Sequence, residues 1–201
     1  MVSLGRRVGS PPPPDGQRAE EIGLAGAIAR GDTDAFNTFY ERYVDRLYRM
    51  IYYQLNAQQA DAEDVLQETM MAAVKALPSF RGDARLFTWL CGIAQHKITD
   101  HRRHQGADGE KVTVPLEDDR LWSSDGADHA QSTETRVVLR QALAAMPEDY
   151  RQVLLLKYVQ GLSVDEIAKV MGRSFKSVES LLSRARESLR LTLERETMNV
   201  A

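Results

Sequence analysis

From Glu20 to His104 the apolar residues fall at helical spacing: Ile22, Ala25 and Ile28, then Phe36, Phe39, Tyr43, Leu47 and Ile51, then Val65, Met70, Val74 and Leu77. Recurrence every three to four residues puts such positions on one stripe of a helix, and the strict alternation of a half-buried strand is nearly absent. Gly31-Asp32 and the stretch Pro78 to Asp83 interrupt the pattern, and Asp34 and Asp61 stand where helix N-caps are expected. Four helices are predicted, over roughly 20–30, 34–54, 61–77 and 85–104. The period returns after Thr133 through Val138, Leu139, Leu143 and Met146, then Val153, Leu156 and Val159, then Ile167 and Met171, then Val178, Leu181 and Leu189, with breaks at Pro147, Gly161 and Gly172. The predicted fold class is all-α, with two small helical domains at 19–105 and 133–196.

The segments outside these domains have a different chemistry. Pro11 to Pro14 and their Gly and Ser neighbours cannot pack or form a helix, so 1–18 reads as a disordered tail. Between Gly106 and Glu134 stand eight acids (Asp108, Glu110, Glu117, Asp118, Asp119, Asp125, Asp128, Glu134) against Lys111 and Arg120, a local charge of -6. Few apolar residues accompany them, so 106–132 reads as a flexible acidic linker.

Composition narrows the class. The chain has 201 residues, 43% of them hydrophobic, and a net charge of -3, so it can build a core but is no uniformly basic nucleic-acid coat. DNA contact would have to come from locally basic surfaces. The single cysteine, Cys91, excludes an internal disulfide and a Cys-rich zinc site and fits a reducing cytoplasm. No stretch has the apolar length of a membrane span, and the start of the chain has no apolar signal core, so a cytoplasmic location is expected. No glycine-rich phosphate loop is present, His101 and His104 lack a third metal ligand, and Cys91 lies in an apolar helix. Neither a cofactor nor enzymatic activity is expected.

Three constellations remain. In the first, Ser163 to Leu182 has the spacing of a helix-turn-helix: Ser163 and Glu166 form a capping box, Ala168 is small where the helices cross, Gly172 suits a left-handed turn, and Ser174 caps the second helix. Ile167, Met171, Val178 and Leu181 would close its core, leaving Lys176, Ser177, Glu179, Ser180, Ser183 and Arg184 outward. From Arg173 to Arg190 five bases face two acids, a local charge of +3. Such a helix can enter the major groove, with Arg186 and Arg190 further along touching phosphates, or can be a solvated helix whose charges serve solubility.

In the second, Asp61, Glu63, Asp64 and Glu68 put four acids on the first turns of one helix. The helix dipole favours acids there, but Asp64, Gln67 and Glu68 also share a face that could dock a basic partner. In the third, Phe80 to Gln105 carries Arg81, Arg85, Lys97, Arg102 and Arg103 against Asp83 and Asp100, again +3, with Phe80, Phe87 and Trp89 interleaved. That mixture suits base stacking and phosphate binding. Phe87, Leu90, Ile93 and Trp89 also fit a plain core stripe.

With these residues in view, the chain resembles the extracytoplasmic-function (ECF) sigma factors of bacterial RNA polymerase. The likeness rests on Asp61-Ala62-Glu63-Asp64-Val65-Leu66-Gln67-Glu68-Thr69, on Phe80-Arg81-Gly82 through Thr88-Trp89-Leu90-Cys91-Gly92-Ile93-Ala94 to Asp100-His101-Arg102-Arg103, and on the helix-turn-helix ending Leu182-Ser183-Arg184-Ala185-Arg186. It implies that 19–105 is sigma region 2, with Asp61, Asp64, Gln67 and Glu68 binding the beta-prime clamp of the polymerase core. It further implies that Phe80, Arg81, Arg85, Lys97, His101, Arg102 and Arg103 capture the unpaired minus-10 strand. Region 4, at 133–196, would read the minus-35 duplex through Ser174, Lys176, Ser177, Glu179, Ser180, Ser183, Arg184 and Arg186 and meet the beta flap. An anti-sigma factor is implied as a further partner, and no added C-terminal sensory domain is expected. Gln95-His96 stands where the family commonly has Arg-Asn, Met70-Met71 where an aromatic is frequent, and Glu179 where a base is frequent. Apart from the resemblance, a stand-alone helix-turn-helix regulator would account for the last third, and an all-helical adaptor would use the charged faces for protein partners only.

Overall fold

A computed structural model describes residues 15–56, 58–105 and 133–200. The regular elements among them are all helical: α1 (Asp15–Ala29), α2 (Thr33–Gln54), α3 (Gln59–Ala76), α4 (Leu86–Gln105), α5 (Thr133–Ala144), α6 (Glu148–Leu154), α7 (Val164–Met171) and α8 (Phe175–Val200). A 3-10 turn, Leu77–Ser79, follows α3, and a π-helical turn, Leu155–Val159, follows α6. The all-α expectation therefore holds. The expected linker and residues 1–14 of the expected tail lie outside the described residues.

Three boundaries differ from the expectation, each for a local reason. Residues 15–18 of the expected tail belong to α1, because tertiary contacts hold that end: Arg18 Nη2 donates to the Arg81 carbonyl at 3.3 Å, and buried Glu21 accepts from the Leu86 N–H at 2.8 Å. The cap of α2 is Asp32, whose side chain accepts from the Ala35 N–H at 3.0 Å, and Asp34 falls in the first turn. Gln58 precedes α3 without a side-chain cap bond, so Asp61 is also a first-turn residue, placed where the helix dipole favours a carboxylate.

In the N-terminal half α2, α3 and α4 bury Phe39, Leu47, Met50, Ile51, Leu86, Leu90 and Ile98 completely or nearly so. Tyr43 stacks on Phe87 with ring centroids 6.0 Å apart, and the Arg46 guanidinium lies 3.7 Å from the Phe87 centroid. Phe87 and Leu90 are thus core residues, whereas Trp89 is half-buried against Phe80 at 5.5 Å between centroids. Burial also fixes Cys91, whose thiol is pushed up to about 12 by desolvation and is inert as a nucleophile.

In the C-terminal half α5, α6 and α7 pack on α8 around Leu155, Leu156, Ile167, Val178 and Ala185. The turn chemistry is as the sequence predicts. Ser163 Oγ accepts from the Glu166 N–H at 3.2 Å while Glu166 Oε2 accepts from the Ser163 N–H at 2.9 Å, and Gly172 takes φ 62°. Ser174 Oγ accepts from the Ser177 N–H at 3.3 Å. Met171 is half-buried rather than buried.

The two halves pack against each other in this structure. α4 packs on α7 and α2 on the π turn, so the buried side chains of both halves form one contiguous cluster. Paired polar groups line the junction: Arg46 Nη2 donates to the Gln160 carbonyl at 3.0 Å, and Gln160 Nε2 donates back to the Arg46 carbonyl at 3.3 Å.

Candidate functional site

Three surfaces carry the residues singled out above. On α3 the helix is two-sided: Ala62, Val65 and Thr69 are buried, and Asp64, Gln67 and Glu68 are exposed on the opposite face. Thr69 Oγ1 satisfies itself on the Val65 carbonyl at 2.7 Å, so the buried face leaves that hydroxyl paired. Asp61 does not join the exposed trio. Its carboxylate lies 3.5 Å from His101 Nε2 on α4, with both side chains about one-fifth exposed.

Beside the exposed trio lies an apolar groove of about 670 Å³ between α2 and α3, lined by Phe36, Tyr40, Leu66, Met70, Met71 and Val74 and rimmed by Glu63, Gln67 and Lys75. Tyr40 and Met71 are exposed there. Phe36 and Met70 of the predicted helical stripes reach this groove, although Met70 is itself a buried core residue.

The second surface is the turn from Phe80 to Arg85 and the helix after it. Gly82 takes φ 70° and is buried, and a Cβ there would stand 2.9 Å from Ile22 Cδ1, so the turn is seated on α1. It leaves Arg81 exposed and Phe80 half-buried against Trp89. Along α4 the cations diverge. Arg103 is exposed beside Asp100 at 3.6 Å, and Lys97 pairs with Glu68 at 3.0 Å, tying α4 to the acidic face of α3. Arg85 Nε lies 3.9 Å from Glu166 of α7. Arg102 turns toward the C-terminal half, donating to the Gln54 carbonyl and pairing with Glu148 of α6. Burial lowers its pKa and Glu148 partly restores it. The seven residues therefore do not form one continuous open patch: Arg81, Arg85, Lys97 and Arg103 face solvent to different degrees, while His101 and Arg102 are turned to neighbouring elements.

The third surface is the start of α8. Lys176, Glu179, Ser180, Ser183, Arg184 and Arg186 are exposed, Ser177 is half-buried, and Val178, Leu181, Leu182 and Ala185 are buried. Among the described residues Arg184 and Arg186 pair with no acid; their Nε atoms donate to the Ser180 and Leu182 carbonyls of their own helix at 3.4 and 3.3 Å. Arg190 differs, being clamped by Glu187 at 2.7 Å and Glu194 at 2.5 Å. The cationic face thus lies in the N-terminal half of α8, whose first turns are the part of a recognition helix that can reach base edges.

The residues that sequence periodicity missed lie at the junction. Glu166 serves two elements, closing the capping box of α7 and accepting from buried Thr88 Oγ1 of α4 at 2.8 Å. Burial raises the pKa of this carboxyl, but bonds from Ser163 and Thr88 and the charge of Arg85 outweigh it and hold the group below its ordinary value. Arg151, 6% exposed, donates to Asn56, and burial pushes its pKa down to about 10. No single-helix pattern marks such residues, because their partners lie 48 to 114 positions away.

Comparison with known proteins covers both halves. Residues 39–107 match the family described as Sigma-70 region 2, and residues 136–189 match Sigma-70, region 4. The chain is 32% identical over 179 residues to the RNA polymerase sigma-H factor of Pseudomonas aeruginosa, spanning 85% of this chain and 92% of that protein. It is 30% identical over 174 residues to the ECF RNA polymerase sigma-E factor of Escherichia coli, spanning 83% and 90% respectively. Among solved structures, CnrH in complex with the cytosolic domain of CnrY superimposes with a TM-score of 0.64 at 27% identity, over 87% of this chain and 97% of that one. Sequence relationship over both regions and over most of the length of its relatives makes this chain a member of the ECF sigma factors of RNA polymerase.

Proposed function

We propose that the chain is an alternative sigma factor that binds RNA polymerase core through Asp64, Gln67 and Glu68, captures the unpaired minus-10 strand with the Phe80–Arg85 turn and α4, and reads the minus-35 duplex with α8. The observation that carries this reading is the outward face of α8, where Lys176, Ser180, Ser183, Arg184 and Arg186 stand exposed beyond a capped helix-turn-helix. Arg and Lys there can donate to guanine O6 and N7, Ser can pair with several bases, and Glu179 can accept from cytosine N4. The protein supplies positioning and base capture and no catalysis of its own. Melting is driven by extruding and stacking bases, for which Trp89 and Phe80 form an aromatic pair beside Arg81.

Both domains are needed, since two promoter elements must be held at once and only the polymerase core fixes their spacing. A stand-alone helix-turn-helix regulator would leave the acidic face of α3 and the turn before α4 without a task. An anti-sigma partner follows from family membership and from the neighbour CnrH, solved with a partner's cytosolic domain. The same membership favours a cytoplasmic location, and no helix among the described residues is long and apolar enough to cross a membrane. The test is to add the protein to sigma-free polymerase with a promoter library. Promoter-dependent transcripts are the expected result, and their absence rejects the reading.

A further inference from the structure

We propose that the segment before α1 is the occupant of the groove between α2 and α3, with its prolines against Phe36 and Tyr40 and its arginines over Asp64 and Glu68. Two of the groove's lining residues are conspicuously open to water, Tyr40 at 43% and Met71 at 54%. Exposed apolar groups gathered in one place mark a binding surface, whereas scattered ones do not. Met71 follows Gln67 by four residues and Glu68 by three, so the apolar surface and the carboxylates adjoin on one face of α3. Glu63 rims the groove toward the start of α3, and the rim's cation, Lys75, stands near its end. Lys97 pairs with Glu68 at 3.0 Å, but that pair is open to water and can be exchanged for an arginine. A fitting ligand is therefore apolar along most of its length and cationic at the end that meets Asp64 and Glu68.

The segment has that character and that order. Positions 1–14 read Met-Val-Ser-Leu-Gly-Arg-Arg-Val-Gly-Ser-Pro-Pro-Pro-Pro, with two bases and no acid. A proline run that cannot join a helical core can lie in an aromatic-lined groove as polyproline II, whose shape is preset and costs little to order. Reach and direction agree with this. Arg18 of α1 donates to the Arg81 carbonyl, just past the 3-10 turn that follows α3, and α1 packs on that turn. The segment thus leaves α1 near the C-terminal end of α3. From Leu77 back to Asp64 is about 20 Å at 1.5 Å per helical residue. From Asp15 back to Arg7 is about 25 Å at 3.1 Å per extended residue. The prolines then pass Val74, Met71 and Tyr40, and the arginines arrive at the carboxylates. Because the segment is tethered, its effective concentration is about millimolar, so weak contacts suffice. The inference rests on reading Asp64, Gln67 and Glu68 as the polymerase face: a seated segment covers that face, and polymerase must displace it to bind.

The test uses the full chain. Cys91 is buried and its thiol unreactive, so the cysteine introduced by Ser10→Cys takes a nitroxide label selectively. The expected result is broadening of the Met71 methyl resonance by that label, lost when Arg6→Gln and Arg7→Gln are added. Core affinity, measured without the label, should be about fivefold higher for Arg6→Gln with Arg7→Gln than for wild type, as for a groove filled in about four molecules of five. The control, Arg30→Gln with Arg195→Gln, makes the same charge change at exposed residues outside the groove's lining and should bind core as wild type does. A Met71 resonance left sharp, or broadening that survives loss of both arginines, overturns the proposal. Broadening that passes only from a labelled copy to an unlabelled one also overturns it and makes a second copy the occupant. So does a core affinity equal to the control's, where Asp64→Lys with Glu68→Lys has confirmed the polymerase face. If Met71 stays sharp while that reversal abolishes core binding, the face stands and the segment falls. Arginine-dependent broadening in a chain whose core affinity ignores the reversal keeps the segment in its groove and rejects the face.

Discussion

Thr88 Oγ1 of α4 donates to Glu166 Oε1 of α7 at 2.8 Å, joining the first turn of one basic helix to the first turn of the helix-turn-helix. The same carboxylate closes a capping box with Ser163 and faces Arg85, so one side chain serves local helix stability and long-range packing together. Its charge state is therefore a property of the whole molecule.

Acid should loosen this junction. The Glu166 carboxyl is held below its ordinary value of 4.5 by Ser163, Thr88 and Arg85 against the opposing effect of burial. Buried Cys91 lies near it, but that thiol is neutral across this range. A depressed carboxylate pKa means the stabilisation is complete above 4.5 and disappears as pH falls through the lower folded value. Hydrogen exchange of α7 and the start of α4, followed from pH 6 to pH 3, should rise at the acid end earlier in wild type than in Glu166→Gln, which has no such proton to gain.

Reversing the acidic face should abolish polymerase binding and spare the fold. Asp64→Lys with Glu68→Lys presents cations where the proposed clamp surface is basic, a loss of about 2–5 kcal/mol in core affinity. The ion pair of Glu68 with Lys97 is largely exposed and worth at most about 1 kcal/mol, so thermal melting should shift little. Core affinity by co-sedimentation or fluorescence anisotropy decides the matter; an unchanged value rejects this docking face.

Arg184→Ala should remove about 1–3 kcal/mol of minus-35 recognition, because an exposed guanidinium whose bond among the described residues is to its own helix is available to guanine. Arg190→Ala should matter less for DNA, since that side chain is already held by Glu187 and Glu194. Footprinting of the reconstituted holoenzyme separates the two, and an unaltered minus-35 footprint for Arg184→Ala counts against that residue.

Gly82→Ala should impair promoter opening before it impairs duplex binding. The residue sits at φ 70°, and its new Cβ would press on Ile22 Cδ1 and the Arg18 side chain, so the turn carrying Arg81 must shift. A left-handed position filled by alanine typically loses about 1 kcal/mol or more. Permanganate footprinting of unpaired thymines reads the opening step; normal reactivity at normal holoenzyme concentration would show that this turn's geometry is immaterial.

Leu90→Ala provides the stability reference. Leu90 is fully buried between α4 and the rest of the N-terminal core, and its truncation should cost about 2–5 kcal/mol. Thermal unfolding monitored by circular dichroism should show a large drop in midpoint.

The sequence by itself determined the helices, because each depends on residues close in the chain. The stripe from Phe39 to Ile51 builds α2, Ser163 with Glu166 starts α7, and Gly172 with Ser174 makes the turn into α8. The outward faces of α3 and α8 were legible for the same reason, since a buried stripe such as Val65 and Thr69, or Val178 and Leu181, leaves its opposite side to water. Helix ends were less so: α1 reaches back to Asp15 because Arg18 and Glu21 find partners in the turn before α4 and at its first residue. Only the tertiary structure decided that the two halves touch, that Arg85 and Arg102 face carboxylates of the other half, and that Arg151 and Gln54 are buried. Periodicity reports which side of a helix avoids water; it carries no information about which distant polar group will meet the other side, because that choice is made by geometry between elements and not along any one of them.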